Sequence, residues 1–166
     1  FDPYPPRFPS GWFRVAFSDE LPRGSLLRVR RFGRDLVAYR GDDGQARVVD
    51  AYCPHMGAHL GEGDVVGNKL RCAFHHWSFD GQGHCVEIPG AKKIPATARL
   101  GCWPVNEVNG VVFTYHRATP GEVPRYEVPR IAEFESDAWT APLVRGRTIR
   151  THIQETMENI VSWMCV

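Results

Sequence analysis

The 166-residue chain has no apolar run near the roughly 18 to 20 residues that a membrane span needs, and no basic-then-apolar leader at its front. It also lacks an excess of either charge. Twenty Lys and Arg against nineteen Asp and Glu leave a net +1, so no global field favours nucleic acid or an anionic membrane as partner. The five cysteines are odd in number and form no regular framework, which fits a reducing compartment better than a disulfide-stapled secreted domain. Internal repeats and low-complexity tracts are absent, and no strong helical period runs between Gly11 and about Tyr115. Phe1 rather than Met stands first, so a processed, trimmed or partial chain is expected. The expected location is cytoplasmic, with an upstream membrane anchor left open.

What is present is 43% hydrophobic and 23% charged, enough for one domain with a core and a fragment of another. Short runs rich in Val, Leu, Phe and Tyr alternate with glycine-containing turns, the pattern of an all-β, small antiparallel domain. "LLRVRRF" and "DLVAYR" flank Gly33, "GDDG" precedes "ARVVDAY", and Asn109-Gly110 predicts a type I′ hairpin between "WPVNEV" and "VVFTYH". The expected division is a β domain over 8–116, a Pro-rich linker over 117–140 and a further segment over 141–166. In the last, Ile153, Met157, Ile160, Val161 and Met164 fall at helical spacing.

Chemistry concentrates in two loops. Cys53 and His55 form C-x-H in "CPHMGAHL", Cys72 and His75 form C-x-x-H in "CAFHHWSFDG", and sixteen residues separate His55 from Cys72. Each pair joins a soft thiolate to an imidazole, so the four make a metal site. Zinc accepts two Cys and two His, but its common sequence forms pair like with like. A mixed pair in each loop suits a two-iron cluster, both thiolates on one iron and both imidazoles on the other. A structural zinc site remains the alternative.

These residues resemble the Rieske [2Fe-2S] family. The stretch "AYCPHMGAHLGEGDVVGNKLRCAFHHWSFDGQGHCVEIPG" is similar to the N-terminal domain of Rieske-type oxygenases, in the branch of steroid-ring hydroxylases and cholesterol 7-desaturases. The likeness runs from "YPPRFPSGWF" through "WPVNEVNGVVFTYH" into "IRTHIQE". It implies that Cys53 and Cys72 hold the buried iron and that His55 and His75 hold the outer one. It implies a ferredoxin or an NAD(P)H-dependent reductase as electron donor, a homotrimer at full length, and 141–166 as the incomplete beginning of an α+β catalytic domain.

Two absences place the cluster within the family. Respiratory-type Rieske proteins carry an extra cysteine in each loop, where this chain has Ala58 and Phe74, and a serine where it has Trp77. With fewer hydrogen bonds to the sulfurs, the expected potential lies low in the Rieske range of about −150 to +300 mV.

Other chemical residues read blandly. His59 is expected to be a packed or hydrogen-bonded loop residue, while His76 and His84 are expected on the surface. Cys85 and Cys102 are expected to be small buried hydrophobes. The run "RVRRFGR" over 28–34 could steer an acidic redox partner, but charge guarding a strand edge is the commoner explanation. Trp12, Trp77 and Trp103 are expected in the core.

The resemblance fails at the end. Complete family members continue as N-x-x-D-x-x-H-F and bind a mononuclear Fe(II) through two histidines and a carboxylate. Here Asn159 is followed by Ser162 where the bridging aspartate belongs and Cys165 where the first iron-binding histidine belongs. The expected function is therefore the Rieske electron-transfer domain of an oxygenase or desaturase, an oxidoreductase by family, without the mononuclear site in this chain. The alternative is a stand-alone Rieske ferredoxin that carries electrons without catalysis.

Overall fold

The structure, a computed structural model, describes residues 8–140 and 150–151. The helical spacing after Ile153, Ser162 and Cys165 all lie outside the described residues. Eleven strands form three antiparallel sheets among the described residues, as the all-β reading expects. In chain order they are β1 (Gly11–Phe17), β2 (Leu26–Arg31), β3 (Arg34–Arg40), β4 (Ala46–Asp50), β5 (Asp64–Val66), β6 (Lys69–Arg71), β7 (Ser78–Phe79), β8 (Cys85–Glu87), β9 (Cys102–Trp103), β10 (Val105–Val108) and β11 (Val111–His116). The sheets have the orders β1-β11-β10, β2-β3-β4-β9 and β5-β6-β7-β8.

The centre is β3, whose run Leu36-Val37-Ala38-Tyr39 is wholly buried. A strand sends alternate side chains to opposite faces, so an unbroken apolar run marks a strand covered on both. Val37 and Tyr39 pack into a core shared with Val49, Leu60, Leu70, Phe79 and both loop cysteines, Cys53 and Cys72. Leu36 and Ala38 pack the other way, with Val15, Leu21, Val48 and Val112. One strand thus carries the main body on one face and the floor of the Cys/His loops on the other.

Turns set the register. Asn109 and Gly110 both take positive φ, 54° and 72°, and Val108 pairs with Val111 across them, as a type I′ turn requires. Phe32 and Gly33 do the same at 56° and 70° between β2 and β3, and there the sequence announces only the glycine. Arg40 joins the sheets. Its guanidinium donates to the Leu21 and Gly44 carbonyls, each at 2.6 Å, and makes a two-pronged ion pair with Glu107 at 2.7 and 2.8 Å.

The segment after β11 lies along the first sheet. The Trp12 indole donates to the Tyr126 carbonyl at 2.8 Å, and the Asn109 side chain bonds both the Pro129 carbonyl and the Ile131 N–H at 2.9 Å. These contacts fall within one compact unit, Phe1–Ala132; a second comprises Glu133–Val166.

Candidate iron–sulfur site

The two loops are built alike. In the first, the Cys53 N–H donates to the Ala58 carbonyl and the Gly57 N–H to the Cys53 carbonyl, each at 2.9 Å. In the second, the Cys72 N–H donates to the Trp77 carbonyl at 2.9 Å and the His76 N–H to the Cys72 carbonyl at 3.0 Å. Each closes five residues after its cysteine, and the fourth residue is left-handed in both: Gly57 at φ 73°, His76 at φ 57°. Sequence reasoning places His76 on the surface, and it is exposed, but its backbone conformation was not legible.

That shared geometry gives a test of opposite sign. Nothing lies within 4 Å of a Cβ built on Gly57, so Gly57→Ala meets backbone strain alone. It should cost about 1 to 2 kcal/mol, whereas His76→Gly should relieve about 1 kcal/mol of strain. Thermal unfolding of the two variants checks this, and equal shifts would mean that the left-handed turns do not shape the loops.

The ligand types separate by depth. Cys53 and Cys72 are 4% and 2% exposed, and the thiols are close enough that Cys72 perturbs Cys53. Burial, above all, pushes the Cys53 thiol well up, reinforced by Cys72 and Cys85 and opposed by the His55 backbone N–H aimed at its sulfur. A buried sulfur that keeps its proton unless a cation replaces it suits a metal ligand. His55 and His75 stand at the surface with ring centroids 4.6 Å apart. Trp77 stacks on His55 at 4.4 Å and 11°, and Phe74 leans on His75 at 4.0 Å. Among the described residues, no three His, Cys, Asp or Glu side chains gather as a single ion requires. The four come together two and two, thiols below and imidazoles above, which fits a two-iron group better than one tetrahedral zinc.

The remaining candidates sort cleanly. His59 accepts the Gly61 N–H on Nδ1 at 3.0 Å and packs edge-on against Tyr52, so it is a hydrogen-bonded loop residue. His84 is exposed, beside Asp80. Cys85 is buried as expected, and burial pushes its thiol up. Cys102 is not: it lies exposed, because β9 is a two-residue strand at the edge of its sheet. Phe79 is fully buried, whereas Trp12, Trp77 and Trp103 are only partly buried.

An all-antiparallel domain presenting two matched Cys–His loops over paired buried thiols is built as an iron–sulfur protein. Residues 11–104 match the family model described as the Rieske [2Fe-2S] domain, and the chain belongs to that family. It is similar to cholesterol 7-desaturase nvd 1 of Ciona intestinalis, 41% identical over 162 residues, 95% of this chain and 34% of that protein. It is also similar to the oxygenase component of 3-ketosteroid-9-alpha-monooxygenase of Rhodococcus rhodochrous, 35% identical over 163 residues, 95% of this chain and 42% of that one. Among solved structures, dicamba monooxygenase bound to dicamba superposes with a TM-score of 0.70 at 27% identity, over 77% of this chain and 38% of that one. The chain spans about a third of the length of the curated relative it matches at 41% identity. No helix among the described residues is long and apolar enough to cross a membrane.

Proposed function

We propose that Cys53, His55, Cys72 and His75 hold the [2Fe-2S] cluster and that the chain is the electron-transfer domain of an oxygenase or desaturase terminal component. The observation that carries this reading is the pairing of two equivalent loops, with cysteines in the core and histidines at the surface. When bound, the cluster supplies storage of one electron at a time. The chain's own residues do the rest. The core around Val37, Tyr39, Leu70 and Phe79 keeps water from the thiol side, while Trp77 and Phe74 orient the two imidazoles.

Electrons arrive from a ferredoxin or an NAD(P)H-dependent reductase, as expected of a protein similar to an oxygenase component. They leave toward a mononuclear iron in the full-length enzyme, which acts on a steroid or another hydrophobic ring. The steroid-acting relatives support that substrate class. In this reading 8–116 is the Rieske domain, 117–140 the linker and 141–166 the start of the catalytic domain, in a cytoplasmic protein that is a homotrimer at full length.

The test is an EPR spectrum of the anaerobically purified, dithionite-reduced chain. A rhombic signal with average g of about 1.9 is expected of a mixed Cys/His two-iron cluster. A silent, colourless protein containing zinc would overturn the reading.

A further inference from the structure

One basic cluster on this domain is not accounted for by its fold. Of the arginines along 28–34, Arg28 pairs with Glu62, Arg30 with Asp35, and Arg31 donates to the Arg14 and Arg30 carbonyls. Arg34 has no ion pair or side-chain hydrogen bond among the described residues, and neither has Arg117. Both are exposed, and both line one surface cavity of about 200 Å³ with Trp103, Tyr115 and His116. Among the described residues, no acidic side chain lines it.

Guarding a strand edge needs charge, but it needs neither a concavity nor an aromatic wall. Here the aromatic wall is packed against the β2–β3 turn. Phe32, a bulky residue in the left-handed region at φ 56°, stacks on Trp103 at 5.6 Å and against His116 at 4.4 Å. The His116 Nδ1–H donates to the Pro9 carbonyl at 3.1 Å, which fixes the ring in the wall.

One cavity residue, Trp103, and the neighbour of another, Asp35, bond to the chain that leads into the first cluster loop. The Trp103 indole donates to Asp50 at 3.0 Å, at the end of the strand that leads to Cys53. Arg34 is followed by Asp35, whose carbonyl accepts the Ala51 N–H at 3.2 Å and whose carboxylate accepts the Tyr52 hydroxyl at 2.8 Å. Tyr52 directly precedes Cys53.

We infer that this cavity is the docking point for a surface carboxylate of an acidic electron-donor protein, seated between the Arg34 and Arg117 guanidiniums. The inference rests on the electron-transfer reading above and adds the surface at which the donor binds. In the transfer it serves, one reduced ferredoxin is oxidised by one electron and the domain is reduced by one. Guanidiniums suit this task because they present several donors in a fixed fork to a carboxylate, and opposite charges steer the encounter.

The experiment uses the cluster-loaded chain and an acidic [2Fe-2S] ferredoxin as probe, at low ionic strength. Calorimetry gives the dissociation constant, and stopped flow gives the rate of reduction by the reduced probe and by dithionite. Arg34→Glu combined with Arg117→Glu is expected to weaken binding by about tenfold or more and to slow reduction by the probe in proportion. Reduction by dithionite should stay unchanged. Lys92→Glu combined with Lys93→Glu makes the same change of charge on an exposed loop elsewhere and should change binding by less than about twofold. Equal losses in the two double variants, wild-type binding by the arginine variant, or no binding by the wild-type chain would each overturn the inference. A wild-type chain without a Rieske spectrum would refute the electron-transfer reading instead, and the binding ratios would still decide the cavity.

Discussion

Cys53→Ser and Cys72→Ser are each expected to yield a colourless chain with less than about a tenth of the wild-type iron. A serine hydroxyl is a harder donor and does not ionise near neutral pH, so it cannot replace a buried thiolate. His75→Ala should do the same by opening the outer end of the site. Cys85→Ala is the control, because Cys85 is a third buried thiol near Cys53 yet lies outside both loops. It should keep the cluster and lose only modest stability. Changing His55 and His75 together to cysteine presents four thiolates, as in plant-type ferredoxins, and should move the potential toward about −400 mV. Iron analysis, visible spectra and EPR check these outcomes. A Cys72→Ser chain with the full wild-type spectrum, or a Cys85→Ala chain without it, would overturn the ligand assignment.

Arg40→Ala is expected to destabilise the fold by about 3 kcal/mol or more, a fall of roughly 10 °C in Tm. Arg40 is 8% exposed, and its removal strands the Leu21 and Gly44 carbonyls and the Glu107 carboxylate together. Replacing both partners, Arg40→Met with Glu107→Leu, should cost less than Arg40→Ala alone, since no unpaired charge remains. The pair also sets an acid limit. The hydrogen bond from Arg40 holds the Glu107 carboxyl below its ordinary value. The stabilisation is therefore present above the unfolded glutamate pKa of about 4.3 and is lost as pH falls through the lower folded value. Melting curves below about pH 5 should fall more steeply for wild type than for Glu107→Gln. A change of under about 0.5 kcal/mol in Arg40→Ala would show that the contact between sheets is not structural.

Much of the site could be read from the chain because its chemistry is local. A thiol and an imidazole with one or two residues between them, in a loop bounded by strand-like runs, can face one group without long-range help. The Asn109-Gly110 turn was legible for the same reason, since two residues with φ above zero follow from their own side chains. Phe32 and His76 were not, because neither announces a left-handed turn as Asn-Gly does, and the surrounding hydrogen bonds and ring contacts hold it there. Cys102 misled for a related cause. Its apolar neighbours suggest burial, but the strand it belongs to sits at a sheet edge, a fact of pairing order.

By itself, then, the sequence determined the all-β class, the family, and the four Cys and His residues proposed for the site, because each rests on residue type and short spacing. Only the tertiary structure decided that the two loops share one backbone geometry, that Cys102 lies exposed, and that Arg34 and Arg117, 83 positions apart, border one cavity. Those depend on how distant strands pair, which is settled by the burial of β3 on both faces.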